Sequence, residues 1–337
     1  MLDIPTYFNE ESIKLIKRLN AKSVYKPERI PVSHVYGSIT GFCSARETSR
    51  LAQIFEDDFD KHLEELEKLN VDFFYALNAS CLGSLNERDM LRLRKEVDIL
   101  KRRGVKNFIV AHPFMLKLIR LAIPDAKIKA SVIMEIDNIK TVRYWIKEAD
   151  IINISTRVNR NFVMLEALKK YRDKIEFLCN EVCLWQCPFR ASHYTIESHR
   201  YKKDENYLND YPVDLCYYMM TDIELLRSRF ILPEWIEYYE QFGKYFKISG
   251  RTFPQEFISN TTEWYSRRKS PENILELFPI VVGSIINEQN GERDLRKLNM
   301  TQKEKTEFLN YFKSFGFKCD YSCPCPFCGN YEKCFHR

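Results

Sequence analysis

VDFFYALNASCLGSLNERDMLRLRKEVDILKRRGVKNFIVAHPFMLKLIRLAIPDAKIKASVIM, residues 71–134, carries the architecture. Its first eight residues, 71–78, are aromatic and β-branched, which predicts a strand. Residues 87–103 predict a long charged helix, and Gly104 follows where a helix end needs the left-handed conformation. Residues 107–112 predict the next strand, and Pro113 prevents its continuation. A helix over 114–123 and a strand over 128–134 complete a β-α-β-α-β run. The strands are nearly continuous apolar runs, the pattern of a parallel sheet covered on both faces.

The same rhythm extends outward. Upstream, 34–39 predicts a strand and 57–69 an amphipathic helix; downstream come helix 137–149, strand 150–155, helix 161–173 and strand 175–181. These are six β units. The pattern then breaks over 183–215, a stretch rich in Cys, Trp, His, Tyr, Asn and Asp, which predicts a functional insertion after the sixth strand. FILPEW (230–235) predicts a seventh strand, KYFKIS (244–249) an eighth and 254–268 a last helix. Eight strands with crossover helices predict an α/β fold, a (β/α)8 TIM-like barrel over residues 1–268, ahead of an open doubly wound sheet. No Gly-rich dinucleotide fingerprint follows any strand. Residues 269–337 predict a helical tail ending in a cysteine-rich segment.

Composition narrows the class. Of 337 residues 45% are hydrophobic, enough for a large core, so a disordered chain is excluded. Lys+Arg minus Asp+Glu is 52 − 47 = +5, which permits an anionic substrate without demonstrating nucleic-acid binding. No apolar run approaches the roughly 18 residues of a membrane span. The segment MLDIPTYFNEES lacks the basic-then-apolar pattern of a secretory signal. The expectation is a soluble cytoplasmic protein with no membrane span.

In a barrel, chemistry gathers at the C-terminal ends of the strands. The polar residues expected there are Tyr36, Ser38, Asn78, His112, Glu135, Asn159, Arg160, Asn180, Glu181, Lys247, Ser249 and Arg251. Glu181 and His193 have the side chains for acid/base work, with Asn180 beside them. Asn78, His112, Asn159 and Lys247 are candidate substrate contacts. Arg190 and Arg251 suit an anion, because a guanidinium forks carboxylate or phosphate; a structural salt bridge serves them equally well.

The eleven cysteines are unevenly placed. An odd count in a reducing compartment argues against a disulfide framework. Cys179, Cys183 and Cys187 are spaced by four in CNEVCLWQCPFRASHY (179–194), and Cys216 follows in VDLCYYM. Four converging thiolates suit a 4Fe–4S cluster or zinc, and the bland alternative is a set of reduced core thiols. Cys319, Cys323, Cys325, Cys328 and Cys334 crowd the tail segment CDYSCPCPFCGNYEKCF. That segment cannot build its own core, so a metal organises it: zinc, a second iron–sulfur cluster, or one ligand donated to the barrel cluster. Cys43 and Cys81 stand alone, each a reactive thiol, a ligand or an inert core residue.

HVYGSITG, YALNASCLG, STRVNRNF, CNEVCLWQCPFRASHY, FILPEW and FKISGR occur in this order. The series resembles the collagenase-like peptidase family U-32 over about residues 30–265, above all its members with an Asn-Glu-x-Cys-Leu-x-x-Cys-Pro segment. The resemblance implies a TIM-like barrel. It also implies a 4Fe–4S cluster, since several relatives are oxygen-independent hydroxylases, or hydroxylase partners, acting on RNA bases or ubiquinone precursors, with prephenate implicated as hydroxyl source. Cys183, Cys187 and Cys216 match the family's cysteine positions. Cys179 stands where relatives carry an aliphatic residue, Val182 where they carry Gly, and GFCSARE departs from the usual pattern.

The expectation is therefore an iron–sulfur enzyme of oxygen-independent oxidative tailoring, acting on a peptide, an RNA base or a small aromatic substrate. An electron donor or partner protein would accompany it. The alternatives are a peptidase, and a non-catalytic iron–sulfur partner subunit. The chain shows no Gly-x-Ser-x-Gly elbow and no His-Glu-x-x-His segment.

Overall fold

The structure, a computed structural model, describes residues 1–39, 42–44, 56–199, 219–279, 286–287, 292–293, 297–315 and 326–336. Eight parallel strands close into a barrel in chain order. They are β1 (Leu2–Pro5), β2 (Val32–Gly37), β3 (Asp72–Leu77), β4 (Asn107–Val110), β5 (Lys127–Ala130), β6 (Ile151–Asn153), β7 (Ile175–Leu178) and β8 (Tyr245–Lys247). β1 pairs with both β2 and β8, setting Asp3 beside His34 on one side and Lys247 on the other. Helices α1 (Glu10–Tyr25), α2 (Glu56–Lys68), α3 (Glu87–Arg102), α4 (Pro113–Ala122), α5 (Ile139–Glu148) and α6 (Phe162–Leu168) alternate with the first seven strands.

The local chemistry of each element is ordinary. α3 starts where the Asn86 side chain accepts the amide of Asp89, has acids in its first turn and bases in its last, and buries Leu93, Val97 and Leu100 at helical spacing. Burying each such leucine contributes roughly 1.5–3 kcal/mol. No described helix is long and apolar enough to cross a membrane.

The eight-strand expectation holds, with two strands reassigned. The first strand is Leu2–Pro5, which is only four residues long, contains an acid and a proline, and therefore shows no apolar run. FILPEW is not a strand. Phe230, Ile231 and Leu232 are buried in an irregular segment, and Pro233–Trp235 form a 3-10 turn with the proline at its start. Pro233 has no amide to donate to a ladder. The cysteine-bearing segment consequently leaves the seventh strand, not the sixth. Part of it is α7 (Arg190–His199), a helix that the mixed composition concealed. β5 also ends early: Ser131 caps a 3-10 turn over Val132–Met134, and Glu135 closes it in the left-handed conformation at φ 48°.

Beyond α7 come α8 (Asp222–Arg227), α9 (Ile236–Tyr239), α10 (Gln255–Ser266), α11 (Gln302–Phe315) and α12 (Pro326–Glu332). α11 lies against the barrel. The Trp235 indole donates to the Lys305 carbonyl at 3.2 Å and stacks on Phe308 with centroids 6.0 Å apart. Lys305 Nζ meets Glu234 at 2.7 Å and Ser270 at 3.1 Å. The fully buried Arg160 guanidinium lies 4.4 Å from the Phe230 ring centroid and 4.9 Å from that of Phe308.

Candidate active site at the barrel mouth

The barrel interior carries a charged layer that apolar strand patterns do not announce. Asp3 of β1, Lys129 of β5, Glu176 of β7 and Lys247 of β8 point inward and are almost wholly buried. Lys129 Nζ donates to Asp3 Oδ2 at 2.7 Å and to Glu176 Oε1 at 2.6 Å. Lys247 Nζ donates to the same Asp3 oxygen at 2.7 Å, and Asn153 donates to Glu176 Oε2 at 2.7 Å. Each of the four charged-type side chains is hydrogen-bonded to another member of the layer, which is what makes such burial tolerable.

The two lysines are not equivalent. Burial works against the charge of Lys129, but Asp3 and Glu176 outweigh it and raise its pKa. Among the described residues, Lys247 has only the shared Asp3 oxygen as an ion-pair partner, and burial lowers its pKa. Burial would raise Asp3, yet the two lysines hold it well below the usual carboxylate range. Glu176 is raised by burial.

Above this layer lies a cavity of about 130 Å³. Tyr36, Asn78, Ser131, Glu181, Lys247 and Arg251 are among its walls. Lys247 Nζ lies 3.2 Å from the centroid of the Tyr36 ring, and the Tyr36 hydroxyl donates to the Ile248 carbonyl.

A second, tighter cleft adjoins it, lined by Thr156, Glu181, Cys183, Trp185, Cys187 and Arg190 among others. Cys183 and Cys187 are hydrogen-bonded to each other across a turn in which Gln186 takes φ 52°. That bond, with help from the Phe189 and Arg190 amides, lowers the Cys187 thiol to about 6. Cys183, the donor, is raised by the same bond and by burial. Glu181 belongs to both cleft and cavity.

Arg190, at the start of α7, ties this rim together. Its Nε donates to Glu135 Oε1 at 2.8 Å, and one terminal nitrogen donates to Glu181 Oε2 at 3.0 Å and Thr156 Oγ1 at 3.3 Å. Ser155 and Arg157 complete the shell of Glu135. Burial raises the Glu135 pKa despite Arg190 beside it.

The expected site residues divide accordingly. Asn78, Glu181, Lys247 and Arg251 line the cavity. Arg190 reaches the rim, but its guanidinium is spent on Glu135 and Glu181, the salt-bridge alternative. Asn180 is a bracket between strands: its carbonyl accepts the Ser249 amide at 2.6 Å, and its amide donates to the Leu277 carbonyl at 3.0 Å. Asn159 likewise donates to the Leu178 and Arg229 carbonyls. His112 caps α4, accepting the Phe114 amide at 3.1 Å. His193 is half-buried on α7 and is not a cavity wall.

Cys179 does not join the other two thiols. It sits in the core, its Sγ directed at the Phe177 carbonyl at 3.7 Å, and burial raises its pKa. Cys43 is buried too, its amide donating to Glu96 at 2.9 Å, and Cys81 is half-buried. Cys216, Cys319, Cys323 and Cys325 lie outside the described residues, as does the Cys328 side chain. Cys334 is buried, with its thiol 3.8 Å from a Glu304 carboxylate oxygen. Among the described residues no three His, Cys, Asp or Glu side chains converge as a metal site.

Asp3, Lys129 and Glu176 are the residues that sequence reasoning missed. A signal existed: Asp3 and Glu176 are lone charges within the short strands LDIP and IEFL, and Lys129 stands between Ile128 and Ala130 inside KIKA.

Fold and site together define a TIM-type barrel with a polar cavity at the strand ends and paired thiols on its rim. Comparison with known proteins finds likenesses to one family. The chain resembles peptidase family U32, whose sequence model matches residues 30–177. It is 27% identical, over 275 residues, to an uncharacterized protease of Methanocaldococcus jannaschii, covering 79% of this chain and 82% of that one. The solved structure of a U32 peptidase shares the fold, with a TM-score of 0.53 and 13% identity over 74% of this chain and 92% of that one.

Proposed function

We propose that the protein is an iron–sulfur enzyme of oxygen-independent oxidative tailoring, a hydroxylation of one aromatic or base-sized group held in the barrel cavity. One observation carries the reading: Glu181 walls both the thiol cleft and the cavity, so soft sulfur donors stand next to a substrate-sized space. Cys183 and Cys187 fit two ligand positions, being adjacent, with Cys187 held toward the thiolate by Cys183 and by backbone amides. Cys179, held in the core, does not fit. Cys216 is assigned as a further ligand on the family resemblance. A bound 4Fe–4S cluster supplies electron transfer or Lewis acidity toward a substrate oxygen.

The chain's own residues do the rest. Arg251 gives the cavity a cationic group for an anionic reactant, Lys247 supplies an amine at its floor, and Asn78 orients by hydrogen bonding. Glu181 is the proton-handling group nearest the thiols, and Arg190 fixes its carboxylate. The substrate is a small aromatic molecule or a single group of a peptide or RNA. An electron donor protein and a cytoplasmic location accompany this reading, and the tail cysteines are assigned to a second metal, zinc or iron–sulfur.

A second reading, peptide hydrolysis, rests on the M. jannaschii relative's description as a protease. Anaerobic purification with iron, sulfide and zinc analysis separates the two. The expected result is iron and sulfide with a sulfur-to-iron charge-transfer band, lost in Cys183→Ser and Cys187→Ser. Peptide cleavage that persists unchanged in the double Ser variant, without iron in the wild type, would establish the hydrolase instead.

A further inference from the structure

The charged layer under the cavity has a chemistry of its own, independent of any cluster. We propose that Lys247 is a covalent capture site for an aldehyde or ketone, condensing with its carbonyl to an imine at the cavity floor.

The geometry singles out this amine. A lysine becomes a nucleophile when it is deprotonated, desolvated and open to the reactant. The groups facing it are Asp3, Lys129, Glu176, Tyr36 and, beyond Asp3, His34. Lys129 is fully buried and ion-paired to both carboxylates, so it keeps its proton. It thereby absorbs most of the negative charge that would otherwise hold a proton on Lys247. Lys247 shares a single carboxylate oxygen with Lys129 and is the member of the layer that borders the cavity. A neighbouring ammonium and a desolvated site both favour the neutral amine. The Tyr36 ring lies against the amine on one side, and Ile109, Val132 and Leu178 give the cavity apolar walls. Those walls suit a carbonyl compound with an apolar body.

The step balances without an added oxidant or reductant. The neutral amine adds to the carbonyl carbon, the carbonyl oxygen takes up a proton, and the carbinolamine loses one water to leave the C=N bond. In the test, cyanoborohydride supplies the hydride that reduces this bond to a stable secondary amine.

The experiment treats the wild-type full chain with benzaldehyde and sodium cyanoborohydride and follows modification at each lysine by peptide mass mapping. Lys14 and Lys106, with exposed side chains, give the solvent rate, and Lys129 reports any opening of the barrel. Lys247 is expected to be benzylated about tenfold faster than Lys14 or Lys106, as the desolvated amine that borders the cavity, while Lys129 stays unmodified. Benzylation of Lys247 no faster than at the exposed lysines overturns the proposal. Equal labelling of Lys129 and Lys247 overturns it as well, because the reagent then enters an opened barrel. Iron content of the same sample is read separately, so loss of the cluster reading leaves this result standing.

Discussion

At the scale of single residues, Arg190 shows how far a side chain's role depends on what surrounds it. A planar fork can serve two carboxylates and a hydroxyl at once, whereas an ammonium cannot match that geometry. Replacing Arg190 by Met strands Glu135 and Glu181 as paired carboxylates at a buried rim, and the expected loss is about 3 kcal/mol or more of stability in urea unfolding. Arg190→Lys should recover only part of it, and an unchanged urea midpoint in either variant would refute the clamp. Glu135 adds to the point. A glutamate at φ 48° costs backbone energy that a glycine would not, and the carboxylate's contacts to Ser155, Arg157 and Arg190 hold it there.

At the scale of elements, β1 and α2 are joined by a neutral histidine. His62 of α2 is buried and shares a 2.8 Å hydrogen bond with Thr6, just past β1. Burial lowers its pKa from 6.5 to about 4. The unfolded chain therefore binds a proton that the folded one refuses in this interval. The stability contribution of His62 is complete above pH 6.5 and is lost as pH falls toward 4, by up to roughly 3 kcal/mol. Urea midpoints across that interval should fall steeply in the wild type and less steeply in His62→Gln; identical slopes would refute the linkage. Element by element, the sequence was legible where packing is two-sided. β3 and β4 are nearly continuous apolar runs because helices cover them outside and the barrel fills inside, and in β7 only Glu176 breaks the run. β1 was illegible because three of its four residues are Asp3, Pro5 and Leu2, whose burial depends on partners far along the chain. FILPEW misled because burial alone gives an apolar run, and only Pro233 marks the absence of a ladder. The thiol pair at Cys183 and Cys187 was readable from spacing, but the separation of Cys179 from it was not, because Cys179 continues the face of Phe177, opposite Glu176, and is buried there.

At the scale of the whole molecule, a buried ion pair in an aromatic seat fastens the described part of the tail to the barrel. Lys305 meets Glu234 and Ser270 beneath the stacked Trp235 and Phe308. Lys305→Met should leave Glu234 buried and uncompensated, costing about 3 kcal/mol, and should lower the melting temperature. The double variant Lys305→Met, Glu234→Gln should restore part of that loss, and a double variant as unstable as the single one would exclude the coupling. The barrel itself has a fastening of a different kind. Asp3 and Lys247 are 244 positions apart, yet their strands lie side by side. Until that clasp shuts, the ring has two free ends, and each offers backbone groups to any other chain that comes near. Closure thus competes with aggregation: the wait for the last strand is an interval of vulnerability, and dilution lowers, while crowded synthesis raises, the chance of a wrong encounter within it.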